Sequence, residues 1–369
     1  MPPLAERVAR FVADPASGDF EALAAEAFAW QVERVPPLAR LAAARGVAPA
    51  PGLDWRLVPA VPTAAYKTLR VTVAEEGEEG DAGGSVETFR SSGTTGGEAS
   101  RSVHVHPFPD LYRATVDAAF PRFCLPRFCL PRAAGPDARP PMLALVPRRE
   151  ERPDSSLSFM VDHVVRRWGG EASAWGLGPR GVDARAARSW LGARQREGRP
   201  VVVLATALAL ADLVGGLERL DLRFRLPAGS VIFETGGFKG REREVDPAAL
   251  AAGVAARLGV PASSIVGEYG MTELTSQLYT RALAGGDPEL YVAPHQVRVR
   301  VVDPETLDEV AAGETGLVAI FDLANLSSAV HVLTEDLGRA EPGGLRLLGR
   351  APGADLRGCS LTVEELAPR

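Results

Sequence analysis

Short apolar segments alternate with helix-like segments through the middle of the chain, and this alternation most constrains the fold. Strand-like runs begin at Met142 (MLALVP), Val201 (VVVLA) and Ser230 (SVIFETGG). Helix-like stretches such as PAALAAGVAARLG alternate with them. Strands that alternate with helices are typical of layered α/β domains. The sequence therefore predicts an α/β fold with layered mixed sheets and helices.

The two ends of the chain have a different character. Residues 1–50 carry Ala, Leu, Arg and Glu at helical spacing, and the first fifteen read as an amphipathic helix rather than a signal peptide. From Tyr291 onwards, HQVRVRVVDPETLDEV alternates with period two into a turn, and GETGLVAIFDL supplies a returning strand. We expect an α/β core with an N-terminal helical segment over 1–290. A small β-rich subdomain should cover 291–369.

Composition excludes several classes of function. The net charge of -6 and the pI near 5.6 leave no basic footprint for nucleic acid. The most apolar run, which starts at Val201, is interrupted by Asp212, so we expect no membrane span. The three cysteines show no metal-binding spacing, and together with the missing secretory signal they predict reduced thiols and a cytoplasmic protein.

The string FRSSGTTGG at residues 89–97 has the composition of an anion-binding loop. Its glycines permit close backbone approach, so successive N–H groups can converge on a phosphate, and its serines and threonines add hydroxyl donors. Gly97 is followed by Glu98 where a kinase-type loop would carry lysine. This favours a loop that binds departing diphosphate over a γ-phosphate clamp. A plain turn remains the alternative.

A second string, VGEYGMTELTSQLY, starts at Val266. We expect its strand to end at Gly267 and a compact turn to bring Tyr269, Thr272 and Glu273 together. Tyr269 is suited to stack on a base. Glu273 is a candidate ligand for Mg²⁺, which takes one or two carboxylates and completes its coordination with water and phosphate oxygens.

Three further strings complete the pattern. In TGGFKGR (235–241), Gly236 and Gly237 let the backbone approach a flat ring. In LTEDLG (333–338), Asp336 can accept two hydrogen bonds from a ribose diol. The last string, GRAPGADLRGCSLTVEEL, starts at Gly349.

These five strings, in this order, resemble the core motifs of the adenylate-forming enzymes, which include acyl- and aryl-CoA synthetases, luciferases and peptide-synthetase adenylation domains. The resemblance covers about residues 55–366. Details such as VPAVPTAAYK and EYGMTELTSQLY look most like the acyl-protein synthetase branch, the fatty-acid component of bacterial luminescence reductase complexes. The resemblance implies the fold of the N-terminal domain of these enzymes, and ATP and Mg²⁺ as cofactors.

The resemblance also implies roles for individual residues. The diphosphate loop would be formed by Ser91, Ser92, Gly93, Thr94, Thr95 and Gly96. The adenine would be bordered by Gly236, Gly237 and Tyr269, with Gly270 in the same nucleotide site. Thr272 would contact the α-phosphate, Glu273 would hold Mg²⁺, and Asp336 with Arg350 would bind the ribose.

The sequence departs from the pattern in two respects. It stops at Arg369, so we expect the mobile C-terminal domain of the CoA ligases, with its catalytic lysine, to be missing. Lys67, Lys239 or Arg101 could substitute. In acyl-protein synthetases the acyl group passes from AMP to a cysteine near the C-terminus, and Cys359 stands in a comparable place. The alternative is that Cys359 is a small apolar residue that begins a strand.

The histidines after the loop, His104 and His106, alternate in RSVHVHPF and should project from one face of a strand. Either one approaches substrate or phosphate, or the pair lies on a solvated face. His163, in SFMVDHVVRRW, is expected on a helix that lines an acyl pocket.

The sequence therefore predicts a ligase that activates a carboxylic acid as acyl-AMP and passes the acyl group to a thiol such as Cys359. The resemblance to the acyl-protein synthetase branch implies that the acid is a fatty acid. The onward partner would be an acceptor protein, either a reductase or a carrier protein. One alternative is direct transfer from acyl-AMP to CoA, a carrier protein or an amine. A second is a non-catalytic nucleotide-binding subunit.

Overall fold

The computed structural model describes residues 1–74, 86–91, 101–125, 139–179, 181–236, 245–352, 362–363 and 365–367. The fold is of the mixed α/β type, as predicted. The chain forms two compact units that interleave along the sequence. Unit 1 comprises Met1–Ala118, Met271–Gln277 and Ala293–Arg369, and unit 2 comprises Ala119–Gly270 and Leu278–Val292.

Several helices begin where the sequence supplies a capping side chain. Asp19, Asp183 and Asp246 accept hydrogen bonds from backbone N–H groups of the first turn, and the hydroxyls of Ser155 and Thr206 do the same. These caps satisfy donors that have no partner within the helix. The helices are α1 Pro3–Ala13, α2 Phe20–Val32, α3 Pro36–Ala44, α4 Pro109–Cys124, α5 Ser156–Trp168, α6 Ala184–Glu197, α7 Ala207–Arg219 and α8 Pro247–Leu258.

The strands are mostly short, and those from the middle of the chain coincide with the apolar runs of the sequence. In chain order they are β1 Val61–Pro62, β2 Glu87–Arg90, β3 Val103–His106, β4 Met142–Leu145, β5 Ala174–Trp175, β6 Leu177–Gly178, β7 Gly181–Val182, β8 Val202–Thr206, β9 Val231–Thr235, β10 Ile265–Tyr269, β11 Leu278–Thr280, β12 Leu290–Val292, β13 Val297–Val302, β14 Thr315–Asp322, β15 His331–Glu341 and β16 Gly344–Arg350.

Unit 2 is built on parallel strands. Strands β5, β4, β8, β9 and β10 pair in that order and run parallel. Strand β11 then pairs antiparallel with β10, and β12 pairs antiparallel with β11. The strands are apolar along nearly their whole length because helices α6, α7 and α8 contribute to the core on the sheet. Two of the predicted site strings, TGGFKGR and EYGMTEL, therefore begin at the carboxyl ends of neighbouring parallel strands.

Unit 1 contains the predicted β-meander. Strands β13, β14, β15 and β16 are successive antiparallel neighbours, and β1 pairs parallel with β15. Strands β2 and β3 form a separate antiparallel pair. Helices α1, α2 and α3 share a core with residues of β14 and of the segment that follows it, including Phe321, Leu323 and Val330.

The compact units do not follow the linear division of the chain into 1–290 and 291–369. The N-terminal helices share their core with residues from the C-terminal meander, because both present apolar faces to it. The division of the chain into an α/β core and a β-rich subdomain, proposed from the sequence, remains a prediction. Along the part of the chain that the structure describes, there is no helix with the length and apolar character needed to cross a membrane.

The antiparallel pairing of β13 and β14 requires glycine at position 316. A Cβ atom there would lie 2.3 Å from the carbonyl oxygen of Val302. We predict that Gly316→Ala lowers the free energy of unfolding by roughly 1–3 kcal/mol, because the strands must separate locally. Gly178, where an added Cβ meets no atom within 4 Å, is the matched control. Gly178→Ala should stay within about 0.5 kcal/mol of the parent in urea denaturation, and equal losses in both variants would contradict the interpretation.

Candidate functional site

The two ends of the predicted phosphate loop are hydrogen-bonded to each other. The Ser91 N–H donates to the Ser102 carbonyl oxygen at 3.0 Å, and the Ser102 N–H donates to Ser91 Oγ at 2.9 Å. The Arg101 guanidinium donates to the Ser91 carbonyl oxygen at 2.6 Å. These bonds fix the base of the loop. The remaining predicted loop residues, Ser92, Gly93, Thr94, Thr95 and Gly96, lie outside the described residues.

The side chain of Glu273 is bound to this loop base. Ser102 Oγ donates to Glu273 Oε1 at 3.0 Å, and His104 Nε2 lies 3.4 Å from the same oxygen. His104 Nε2 is also 2.9 Å from Ser102 Oγ, and all three side chains are buried. Burial raises the pKa of Glu273, but the charge interaction with His104 and the hydrogen bonds with His104 and Ser102 outweigh it and leave that pKa below its ordinary value. The site thus holds an ionised carboxylate beside the loop.

The interpretation of His104 and His106 as lying on a solvated strand face is wrong, because both rings are buried. The His104 ring stacks on Tyr66 with 4.7 Å between centroids, and the His106 ring lies 5.1 Å from that of Phe89. Burial and the charge of His104 lower the pKa of His106 to about 3, against a backbone hydrogen bond with Thr272 that raises it. His106 is therefore neutral at physiological pH.

A second buried carboxylate holds the turn that follows Glu273. Asp322 Oδ2 accepts hydrogen bonds from the backbone N–H groups of Thr275 (2.9 Å) and Ser276 (2.6 Å), and Oδ1 accepts from Ser276 Oγ (2.8 Å) and the Ala324 N–H (3.1 Å). Burial raises the pKa of Asp322, and these bonds only partly offset the rise. This network was not predicted from the sequence, where the only signal for it was the polar run Thr275, Ser276 and Gln277 between Leu274 and Leu278.

Asn325 adds a direct link to the same turn. Its Nδ2 donates to the backbone carbonyl of Glu273 at 2.8 Å and to that of Ala329 at 2.7 Å. Its Oδ1 accepts from Thr275 Oγ1 at 3.1 Å. Both the side chain and the backbone of Glu273 are therefore held by buried groups of unit 1.

The predicted ribose-binding pair, Asp336 and Arg350, is brought together by pairing of β15 with β16. Arg350 Nε lies 3.6 Å from Asp336 Oδ1, and another guanidinium nitrogen donates to Glu335 Oε2 at 3.0 Å. Lys67 Nζ lies 3.9 Å from Glu335 Oε1. Lys67, one of the residues considered for the role of the catalytic lysine of the CoA ligases, therefore lies beside the carboxylate of Glu335 on β15.

Unit 2 contributes the residues predicted to border the adenine. Gly236 has a φ of 96°, a conformation that L side chains rarely adopt, and a Cβ there would meet no atom of the described residues within 4 Å. Strand β10 extends to Tyr269, two residues beyond the predicted end at Gly267, so the turn begins at Gly270, which is exposed. The Tyr269 ring is half-buried, and its centroid lies 6.1 Å from that of the Tyr291 ring. The predictions for Gly237, Lys239 and Cys359 lie outside the described residues.

Two buried glutamates that sequence reasoning missed lie at the ends of β9 and β10. Burial and the charge of Glu268 raise the pKa of Glu234 to about 8, and burial raises the pKa of Glu268 to about 7 against a hydrogen bond from Thr235. Among the described residues, Glu234 Oε1 has no hydrogen-bond partner. The only signal in the sequence was a glutamate inside each of two otherwise apolar strands.

Two further side chains, those of His163 and Cys124, pack within the fold. His163 lies on α5 as expected, half-buried, with its ring 6.1 Å from that of Trp168. The thiol of Cys124, at the end of α4, is buried, and burial together with the charge of Glu268 raises its pKa well above the ordinary value. Cys124 is therefore a poor nucleophile.

The residues around Glu273 fit a single-carboxylate Mg²⁺ site. Within the described ranges, no group of three or more His, Cys, Asp or Glu residues could hold a metal ion. Mg²⁺ often needs no such cage, because water and phosphate oxygens complete its coordination. An ionised carboxylate bonded to Ser102, which follows the predicted phosphate loop, matches that requirement.

Comparison with known proteins finds one family model that is similar to the C-terminal part of the chain. Residues 195–367 match the model of the family "Acyl-protein synthetase, LuxE". This confirms the resemblance predicted from the motifs and, for the matched residues, the prediction of a ligase-type family. Among proteins with curated descriptions, none matches the sequence.

Solved structures of similar fold include two CoA ligases. The 2-hydroxyisobutyryl-CoA ligase in an open conformation, in complex with 2-HIB-AMP and CoA, is 14% identical, with a TM-score of 0.61 over 88% of this chain and 71% of that one. A long-chain-fatty-acid-CoA ligase from Archaeoglobus fulgidus is 16% identical, with a TM-score of 0.50 over 71% of this chain and 51% of that one. These likenesses confirm the predicted fold.

A third solved structure is that of a protein of which this chain spans only about half. ATP-bound MatB from Rhodopseudomonas palustris is 16% identical, with a TM-score of 0.47 over 71% of this chain. The match spans 47% of the length of MatB, so this chain corresponds to about half of that protein.

The buried glutamates predict a loss of stability as the pH rises from about 4.5 to about 8. Their pKa values are raised by folding, so the folded state binds protons more tightly than the unfolded state, and the stability present at pH 4.5 is lost as the pH rises through about 8. For each such group the slope approaches about 1.4 kcal/mol per pH unit. We predict that Glu234→Gln flattens the decline of unfolding free energy between pH 5 and 8.

Urea denaturation across this pH range checks the prediction, with Glu171→Gln as the control for loss of an exposed carboxylate. The control should keep the slope of the parent. Identical slopes in the parent and Glu234→Gln would show that Glu234 is ionised throughout.

Proposed function

We propose that the protein activates a carboxylic acid with ATP, forming an acyl adenylate and diphosphate, and then passes the acyl group to a thiol. The observation that carries this proposal is the contact between Ser102 at the base of the SSGTTGG loop and the carboxylate of Glu273. A loop suited to diphosphate and a carboxylate suited to Mg²⁺ are joined by one hydrogen bond. The family match over 195–367 and the ligase-like fold support it.

In the first step, an oxygen of the substrate carboxylate attacks the α-phosphorus of ATP. The bond from that phosphorus to the bridging oxygen breaks, and diphosphate leaves with the electron pair. Thr272, adjacent to Glu273 in the chain, is assigned to the α-phosphate, and the loop N–H and hydroxyl groups to the leaving diphosphate. Mg²⁺ held by Glu273 would neutralise phosphate charge, and fixed donors at developing charge typically contribute 10²- to 10³-fold in rate.

In the second step, the thiolate of Cys359 attacks the carbonyl carbon of the acyl adenylate. A C–S bond forms, the C–O bond to AMP breaks, and AMP leaves; the thiol proton goes to solvent. Thr362 follows Cys359 by three residues, and its Oγ1 accepts a hydrogen bond from Arg45 on α3 at 3.2 Å. Glu365 pairs with the same arginine at 2.8 Å, and Arg40 donates to the Leu366 carbonyl at 2.8 Å. The C-terminal flank of the nucleophile is therefore anchored.

Lys67 is the candidate for the role of the catalytic lysine of the CoA ligases. Arg101 already donates to the Ser91 carbonyl and so serves the loop base. Lys67 lies beside Glu335, on the strand that carries the ribose-binding candidate Asp336, and its side chain is 45% exposed. A half-exposed ammonium in that place is available to a carboxylate and a phosphate.

The acid is proposed to be a fatty acid, in keeping with the acyl-protein synthetase match, and the onward acceptor a reductase or carrier protein. Direct transfer from acyl-AMP to CoA is the alternative, since the ligase of similar fold was solved with CoA. A screen of alkyl and aryl acids by diphosphate release would identify the substrate.

We predict that Glu273→Gln lowers acid-dependent exchange between ATP and labelled diphosphate by about 10²- to 10³-fold, because the neutral amide no longer balances a metal ion. Glu305→Gln, at an exposed carboxylate, is the control and should retain the parental rate. Full exchange in Glu273→Gln would remove Glu273 from the metal site. No exchange by the parent with any acid would overturn the adenylation proposal.

We predict that Cys359→Ser abolishes covalent labelling by radioactive acid in the presence of ATP, measured after denaturation, while diphosphate exchange continues. The labelling needs a thiol, and exchange needs only the first step. Cys129→Ser controls for general effects of removing a cysteine and should retain the label. Full labelling of Cys359→Ser would exclude the acyl-cysteine step, and acyl-CoA formation at the parental rate in that variant would favour direct transfer.

A further inference from the structure

Ser102 joins two parts of the site that are far apart in sequence. Its backbone N–H and carbonyl bond to Ser91 at the other end of the loop, and its hydroxyl bonds to Glu273, which is 171 positions later. The residue is 1% exposed. The motifs predict no role for Ser102, because it follows the loop string and precedes the two histidines.

The direction of the hydrogen bonds orders the three side chains. A serine hydroxyl has a single hydrogen, and here it is donated to Glu273 Oε1. The 2.9 Å contact between Ser102 Oγ and His104 Nε2 must therefore be donated by the histidine, which places a hydrogen on Nε2. The chain of donors runs from His104 through Ser102 to Glu273, and stacking on Tyr66 fixes the plane of the His104 ring.

We propose that Ser102 and His104 are positioning residues that couple the backbone at Ser91 to the Glu273 carboxylate and hold that carboxylate in place for a magnesium ion bound with the nucleotide. The inference rests on the proposed function, because it takes Glu273 as the magnesium ligand. The physical reason is that an unsupported glutamate samples several rotamers, and a bound metal must then select one of them. Partners of a metal ligand typically contribute 10- to 100-fold to metal affinity or activity.

Calorimetric binding of ATP in magnesium and in EDTA tests the coupling without depending on catalysis. Ser102→Ala and His104→Leu should weaken binding in magnesium by about 10- to 100-fold and change binding in EDTA by less than about 3-fold. His104→Gln, which keeps a side-chain N–H donor, should restore most of the magnesium-dependent affinity.

Ser230→Ala is the matched control. Ser230 is also a buried serine, 3% exposed, with its hydroxyl bonded to the Val201 N–H and the Pro227 carbonyl. It should leave both affinities unchanged. Thermal melting of each variant identifies any that does not fold, and His104→Gln then supplies the comparison.

Equal losses in magnesium and in EDTA would overturn the inference, since the residues would then act only on the loop or the fold. Equal affinity of the parent in both media would also overturn it, because no magnesium contribution would exist. A parent that binds ATP more tightly with magnesium but exchanges diphosphate with no acid would overturn the proposed function alone. The variant affinities would still decide the coupling.

Discussion

The candidate site depends on one buried carboxylate, that of Asp322. An ionised carboxylate without partners is too costly to bury, so its oxygens must be satisfied by donors from the protein. Four donors do this, and three of them belong to Thr275 and Ser276 in the turn after Glu273. Because the cost of breaking any of these bonds is high, the turn has little freedom. The same requirement that stabilises the fold therefore places the backbone of Glu273.

The turn 271–277 belongs to unit 1 by packing, although the strands on both sides of it belong to unit 2. This explains why its side chains are so polar. Thr275, Ser276 and Gln277 are all buried, and each forms hydrogen bonds that an apolar residue could not. The segment contributes a carboxylate to the site at one end and a set of structural hydrogen bonds at the other.

Much of the fold could be predicted from the sequence, since period-two alternation and short apolar runs report directly on burial. The strands β4, β8 and β9, and the β13–β14 hairpin, follow this pattern. The predicted site residues Asp336 and Arg350 are neighbours because strand pairing enforces it. Burial of His104 and His106 could not be predicted, because alternation shows only that two residues share a face and not what covers that face. Tyr66, which covers His104, lies almost forty positions earlier in the chain.

The contact between Ser102 and Glu273 could not be predicted either, since a serine after a loop has no periodic signal and Glu273 is distant in sequence. The interleaving of the two units had the same cause. Sequence patterns describe neighbours along the chain, whereas the N-terminal helices share their core with residues of the C-terminal meander. Contacts of this kind depend on the tertiary fold and not on local propensity.

Burial is the main cause of the raised pKa values of Glu234 and Glu268, near the ends of β9 and β10. Water would solvate the charged forms, and because Glu234 and Glu268 are only 6% and 5% exposed, both ionise less readily than they would in solvent. The next residues along these strands lead to Gly236 and Tyr269. A polar group that packs against these two carboxyl groups must therefore give up its bound water, and it binds well only where the protein supplies hydrogen bonds in exchange.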